Sequence, residues 1–399
     1  MQSSPTSTIR PMNSISSFKG LNNVSDPLRL GLAWLAQADN VNVSDTGALE
    51  KREGYSPALD GAVTALFSTR DYSRAYLVAG GDLKAMVSNT EAVTLRTGLT
   101  DAPMSWAEIN EQVFFTNGTD SGIILADNSV IDWAWPVPPI PAVSLTPGRL
   151  PAGLYRVCFT YRLADGRNTG AGDHSEIEVA EGEALQITGI PQLTGLSTNV
   201  YIAPANSTVF QFAGTATGGA MVWNRSPDAL GHDLPDVTHS PLPMETTVVA
   251  QWRGRIYAGQ SLPEHGASVV RFSQPLGFHL FDNTKDFFTV PGAITMICAH
   301  AQGLIVGTDK DIYAYDGERL TMLAPYGVPP GQHWEEDDSG RMVFWSNRGL
   351  CSGLPFTNLT DRQVSVPPGV SAGGAIVRRG GQRRYVVSLQ QGGTAFNPH

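Results

Sequence analysis

The sequence predicts an all-β protein: a β-propeller of about six blades, interrupted by an inserted immunoglobulin/fibronectin III-like β-sandwich and preceded by an extended N-terminal arm. Three observations lead there. Gly and Pro supply 42 and 27 of the 399 residues, above their usual combined share of roughly 12%, and they punctuate short apolar runs along the whole chain, which favours short strands joined by tight turns. One strand-turn-strand grammar recurs at a spacing of roughly 40 residues, within the range of propeller blades. The single long gap in that series is bounded by proline-rich segments and has a strand pattern of its own.

Residues 1–62 form the arm and first strands. The opening MQSSPTSTIRPMNS is polar, reads as a disordered tail up to Ser17, and lacks the apolar core of a secretory signal. Next come FKGLNNVSDPLRL (18–30) and ADNVNVSDTGALEKREGY (38–55), both turn-rich and weakly apolar. Between and around them, Leu30, Leu32, Trp34 and Leu35 are anchors beside a backbone with no strand partner of its own. Such an arm offsets its ordering entropy only by packing on the propeller or on a neighbouring copy.

Residues 63–139 hold the first blades and 246–399 the rest. The units begin at Val63, Met104, Thr247, Ile294, His333 and Ala375, and each has a strongly apolar strand: YLVAG, VFFTN, RIYAG, LIVGT, MVFWS and YVVSL. Apolar strands flanked by alternating ones suit sheets buried on both faces. Stacked radially, such blades cover each other and leave only short edges exposed. Residues 140–245 form the insertion, entered through WAWPVPPIPAVSLTP and closed by DLPDVTHSPLP. Its segments GLYRVCFTYRLADGRNTGAG, EIEVAEGEALQITGI, STNVYIAPANSTVFQFAG and AMVWN supply the strands of a sandwich. The termini of such a fold lie close together, so a propeller loop accommodates it.

Charge and composition narrow the function classes. The formal charge is -10, with 27 basic and 37 acidic residues, which argues against a protein that grips nucleic acid through its phosphates. The one dense basic cluster, Arg378, Arg379, Arg383 and Arg384, reads as the exposed polar face of a hairpin. Three cysteines (Cys158, Cys298, Cys351) at wide spacing imply neither a disulfide framework nor a CxxC metal site. No apolar run approaches the roughly 18 residues of a membrane span. The chain is therefore expected to be made in a cytoplasm.

Catalytic patterns fail on context. GVSAG (369–373) matches the G-x-S-x-G elbow, but Ser371 is followed by another strand, AIVRR, where the elbow requires a helix. Asp309, Asp311 and Asp316 lack the order of a Ca²⁺ loop and read as hairpin-turn carboxylates. The run Glu335, Glu336, Asp337, Asp338 reads as an exposed turn. The eight histidines show no H-x-x-x-H spacing. Trp106, Trp252, Trp334 and Trp345 lie near strand ends and read as core aromatics between blades rather than sugar platforms. No catalytic residue, cofactor or metal site is expected, and the chain reads as a non-enzyme.

The opening segment resembles the start of tail nozzle and related virion structural proteins of tailed bacteriophages. Asp26, Pro27, Leu28 and Arg29 match a "DPLR"-like stretch, and Asn40, Gly47, Leu49, Lys51, Arg52 and Gly54 match an N-x-…-G-x-L-x-K-R-x-G signature that runs into a β-propeller. The blade series and the inserted module look like that group, although this chain is shorter than the nozzles of small short-tailed phages. The resemblance implies a nozzle, tail-tip or connector component of the phage tail, made in the bacterial host cytoplasm and assembled as a homo-oligomeric ring around the DNA exit path. Its partners would be copies of itself, neighbouring phage tail or adaptor proteins, and genomic DNA passing through the lumen during ejection without specific binding, which the net acidity suits. The alternative within virions is an adsorption protein whose inserted sandwich binds a host surface receptor. A third class is a propeller enzyme or lectin acting on polysaccharide.

Overall fold

The computed structural model describes residues 15, 17–54, 56–59, 61–163, 166–234, 239–379 and 382–391. Of the tail expected over residues 1–17, only Ile15 and Ser17 fall among them, and the final residues of the last repeat unit also lie outside. The protein is all-β, built of antiparallel sheets apart from one short parallel pair in the arm, and among the described residues there is no α-helix, only two 3₁₀ turns at Pro227–Ala229 and Pro263–His265.

Five sheets follow the repeat units. The first contains Val63–Ser68, Ala75–Ala79, Asp82–Met86 and Ala92–Arg96; the second Ser105–Ile109, Gln112–Thr116, Ser121–Ile124 and Val130–Ile131. The third is six-stranded, running from Thr246–Trp252 through Arg255–Leu262 and Ala267–Gln274 to Gly277–Asp282, with His239–Ser240 and Phe287–Pro291 at its margins. The fourth contains Ile294–His300, Gly303–Thr308, Ile312–Tyr315 and Leu320–Ala324; the fifth Trp334–Glu336, Met342–Ser346, Gly349–Ser352 and Thr357–Asn358. The apolar runs read from the sequence are the second strands; AYLVA, QVFFT and GLIVGT are buried on both faces, and for QVFFT and GLIVGT a packed sheet lies on either side.

Hydrophobic contacts join these sheets in series. Tyr76, Val78 and Leu83 meet Trp106, Val113 and Phe115 between the first and second. Phe114 and Ile123 meet Val249, Ile256 and Phe281 between the second and third, around the fully buried Trp133. Val270 and Val290 meet Ile297, Leu304 and Val306 between the third and fourth, and Ile305 and Val328 meet Phe344 and Cys351 between the fourth and fifth.

The expected closed six-bladed propeller is not what forms. After the fifth sheet the chain makes only a two-stranded hairpin, Ser371–Arg379 with Gln382–Gln390. No hydrophobic cluster among the described residues joins that hairpin to the first sheet, and no sheet closes on itself. The physical reason is strand supply: the hairpin has two strands with which to bury a neighbour, where each preceding unit has four or more.

Residues 142–223 fold as two further sheets, one of three strands (Ala142–Pro147, Glu183–Thr188, Ala220–Trp223) and one of four (Ser175–Val179, Gly153–Arg162, Ser197–Ala203, Gln211–Thr215). Tyr155, Val157, Phe159, Leu185, Ile187, Val200, Ile202 and Trp223 fill the space between them. Strand order departs from the immunoglobulin arrangement: the first strand pairs with the fourth rather than the second, and the seventh takes the outer edge beside the fourth. The loop after Gly153–Arg162 clamps this unit to both connecting segments. A Cβ at Gly170 would lie 2.0 Å from the His239 carbonyl oxygen, and one at Gly172 would lie 2.0 Å from that of Pro138. Both obstacles are backbone, so Gly172→Ala is expected to lower stability by about 2 kcal/mol and to expose the residue 136–141 connection, which holds Pro138, to limited proteolysis; unchanged cleavage there would refute the clamp.

The arm is folded against the body. Gly20–Leu21 pairs in parallel with Trp34–Leu35, and Val41–Val43 forms a hairpin with Leu49–Lys51. Asn23 holds the segment after the fifth sheet: its side chain donates to Ser365 O and accepts from Ser365 N, each at 2.8 Å, while its amide donates to Gln363 O at 3.0 Å.

Candidate functional site

The strands that open four of the sheets converge on one mouth. Met104 and Ser105 from the second sheet, Thr247 and Val248 from the third, Ile294 and Thr295 from the fourth, and Pro330, Gly331 and Trp334 at the entry to the fifth line it, with Pro103 and Asn117. Its volume is about 160 Å³. The strand Thr246–Trp252 lies at its centre, tied to the second sheet through Ser105, whose hydroxyl donates to Val249 O at 3.3 Å and accepts from Val249 N at 3.0 Å.

A repeated local device shapes this mouth. The first strands of the first, third and fourth sheets each carry a β-bulge after their first residue, at Val63/Ala65, Thr246/Val248 and Ile294/Met296. The residue displaced is a threonine every time: Thr64, Thr247, Thr295. Thr64 and Thr247 donate to equivalent carbonyls across the ladder, Val78 O and Gly259 O, both at 3.4 Å, and Thr295 donates to Val328 O at 2.7 Å. Bulges bend a strand and re-aim its neighbours, here splaying the strand starts apart. The signal is legible in the sequence as a Thr followed by an apolar residue near the start of three repeat units: Thr64-Ala65, Thr247-Val248 and Thr295-Met296.

Chemically the mouth is neutral. None of its lining residues is acidic, basic, a cysteine or a tyrosine, and its polar groups are already engaged: Asn117 Nδ2 donates to Thr100 Oγ1 and Asp120 Oδ2 at 3.0 and 3.1 Å. Behind it stands His333, fully buried. Its Nε2 donates to Pro329 O at 2.8 Å and its Nδ1 accepts the Trp345 amide at 3.3 Å, while burial holds its pKa down to about 4. Trp334 packs edge-on against that ring at 5.6 Å.

The residues singled out from sequence scatter. Ser371 opens the terminal hairpin and donates to the Gln390 side chain, and among the described residues no histidine or carboxylate hydrogen-bonds its hydroxyl. Asp309, Asp311 and Asp316 do not converge: Asp309 accepts Ala293 N, Asp311 accepts the Tyr313 hydroxyl, and Asp316 accepts the amides of Glu318 and Arg319. The acidic turn and the arginine cluster, read separately, meet each other: Asp338 pairs with Arg378 at 2.6 Å and with Arg383, and Glu335 accepts the Ile376 amide. Trp106 and Trp252 are buried between sheets, Trp252 under the Arg253 guanidinium at 4.1 Å, whereas Trp334 lines the mouth. Cys158, Cys298 and Cys351 are all buried free thiols, and burial pushes Cys158 up to about 12, so none is a ready nucleophile.

No family model matches the chain, and no curated protein does. Solved structures that match include the extracellular domain of a hybrid two-component system from B. thetaiotaomicron, at 10% identity and TM-score 0.31 over 77% of this chain and 33% of that one. The bacterial surface component PorZ of the Porphyromonas gingivalis type-IX secretion system matches at 13% identity and TM-score 0.24, over 82% and 52%. Citrobacter koseri AztD matches at 12% and 0.28, over 83% and 90%. The chain thus spans about a third of the first and half of the second. With neither a family model nor a curated relative behind it, the tail-nozzle resemblance is withdrawn. With it go the virion role, the adsorption alternative and the ring of copies around a DNA exit path.

Proposed function

We propose that this chain is a non-catalytic protein-binding scaffold whose mouth takes up one apolar side chain of a partner protein. The observation that carries this reading is the lining itself: apolar walls from Pro103, Met104, Val248, Ile294, Pro330 and Trp334, with no titratable group to move a proton. Its volume of about 160 Å³ falls below the ~300–1,000 Å³ of small-molecule sites but matches the ~150 Å³ cavity that admits a benzene ring. Burying one Leu or Phe side chain contributes about 1.5–3 kcal/mol, enough for an anchor at the centre of a larger contact. Tryptophan at the pocket wall suits such an anchor point.

Fluorine NMR of the protein labelled with 5-fluorotryptophan tests this, with the Trp334 signal assigned by Trp334→Phe. Titration with N-acetyl-leucinamide and N-acetyl-phenylalaninamide should move that signal saturably. Pro103→Phe, which roofs the mouth from its exposed rim, should weaken the response at least tenfold. No response to either amide, or a response to monosaccharides alone, would refute the reading.

A further inference from the structure

The terminal hairpin is an incomplete sheet with one edge docked and one edge open. Along Ser371–Arg379, the amides of Ala372 and Gly374 donate outward to Pro330 O and Gln332 O, at 2.9 and 3.0 Å, and the Ile376 amide donates to Glu335. Backbone groups of an antiparallel strand alternate in direction, so residues 371, 373, 375 and 377 bond inward to the second strand. Their partners are Gln390, Ser388, Val386 and Arg384. The outward-pointing amides and carbonyls of Gln382–Gln390 are therefore those of Arg383, Tyr385, Val387 and Leu389, and no strand pairs with that edge among the described residues.

Most of this edge lacks the usual protections. Native edge strands are short, bulged, or carry charged side chains or Pro; Gln382–Gln390 is nine residues long, registers without a bulge, confines its charges to Arg383 and Arg384 at one end, and carries Tyr385, Val386 and Val387 at its middle. Ala375 and Val377, the latter 46% exposed, share with Val386 the face turned away from the fifth sheet. Tyr385 lies on the opposite face, its hydroxyl donating to His333 O.

We propose that a second copy of this chain completes the sheet, the two Gln382–Gln390 strands pairing antiparallel about a two-fold axis at Val386. That register uses every open backbone group: Tyr385 faces Val387 of the second copy, and Arg383 faces Leu389. It also separates the charges, because Arg384 lies opposite Ser388 and the two arginine pairs sit at opposite ends of the seam. The product has four strands, the number in the first, second, fourth and fifth sheets. Val386 meets its own counterpart as a non-hydrogen-bonded pair, with Cα atoms ~4.5 Å apart.

Self-pairing at one residue gives a specific test. Sedimentation of the full chain should show a dimer of the 42.7 kDa protomer. Val386→Lys and Val386→Glu, each placing like charges directly opposite, should raise the dissociation constant at least tenfold while far-ultraviolet circular dichroism stays unchanged. An equimolar mixture of the two variants should regain wild-type affinity or better, a rescue that damage to the protomer cannot produce. A wild type monomeric at 100 µM, variants that dimerise normally, or a mixture no tighter than its parents would overturn the proposal. So would a wild type that dimerises only after truncation beyond Gln391, since the edge would then be covered by its own chain.

Discussion

Gly331→Ala should lower stability by about 3 kcal/mol or more and release the terminal hairpin. Two independent effects add at this one atom. The residue sits at φ +114°, outside the region open to L side chains, and a Cβ there would lie 2.2 Å from the carbonyl oxygen of Ala372. A strained backbone alone costs about 1–3 kcal/mol, and overpacking against an atom that cannot rotate away costs a similar amount. The obstacle belongs to the hairpin itself, whose Ala372 amide donates to Pro330 O at 2.9 Å. Relief therefore comes by moving the hairpin, and the Gly374 to Gln332 hydrogen bond should fail with it. Urea denaturation measures the first part, and amide exchange over residues 372–376 measures the second. A variant with wild-type protection at Ala372 and Gly374 would show that the hairpin is held by something other than this backbone contact.

How much of this was legible in the sequence depends on the range of the force that decides each feature. Strand identity was local and could be read: YLVAG, VFFTN, LIVGT and MVFWS lie in the second strands of their units, and VFFTN and LIVGT are apolar because sheets press on both sides. Closure was not local. Nothing in AIVRRGGQRRYVVSLQQ states that its hairpin lacks the strands to reach the first sheet, because repetition of a pattern says nothing about whether the last copy meets the first. The tail-nozzle motif failed for a related reason. Asp26 closes an Asx turn by accepting the Leu28 amide at 3.0 Å, Asn40 sits at φ 55°, and Gly47 at φ 82° passes where a Cβ would meet Ser17 at 2.6 Å. These are residues that tight turns demand of any chain, so the match reported turn chemistry rather than descent. Leu28, the apolar member of that stretch, is 95% exposed and anchors nothing in the protomer. The mouth was half legible: its threonines, Thr247 and Thr295, recur in the sequence with Thr64, but only the pairing register shows that all three sit at bulges.

Acidification should destabilise the protein through His333, by about 3 kcal/mol between pH 6.5 and 4. The ring is fully buried, and its two nitrogens have opposite partners: Nε2–H donates to Pro329 O, and Nδ1 accepts from the Trp345 amide. That pair of bonds suits only the neutral imidazole, and burial lowers the pKa from 6.5 to about 4. An unfolded chain takes up the proton near pH 6.5 while the folded one refuses it until about pH 4, so stability is full above the upper value and falls as pH drops toward the lower. Each unit in that window costs about 1.4 kcal/mol. Carboxylates held low by hydrogen bonds, such as Asp120 and Asp337, also stabilise only while ionised, but their loss begins near pH 4, below the histidine window. Urea midpoints taken from pH 7.5 to 4.5 should therefore slope downward in the wild type and flatten in His333→Gln, whatever that variant's absolute stability. An equal slope in both would remove His333 from the account. The loss should be read first in the terminal hairpin, because the His333 carbonyl accepts the Tyr385 hydroxyl and the adjacent Gln332 carbonyl accepts the Gly374 amide. A protonated ring that pushes this segment outward takes the hairpin, and the edge it presents to a second copy, with it.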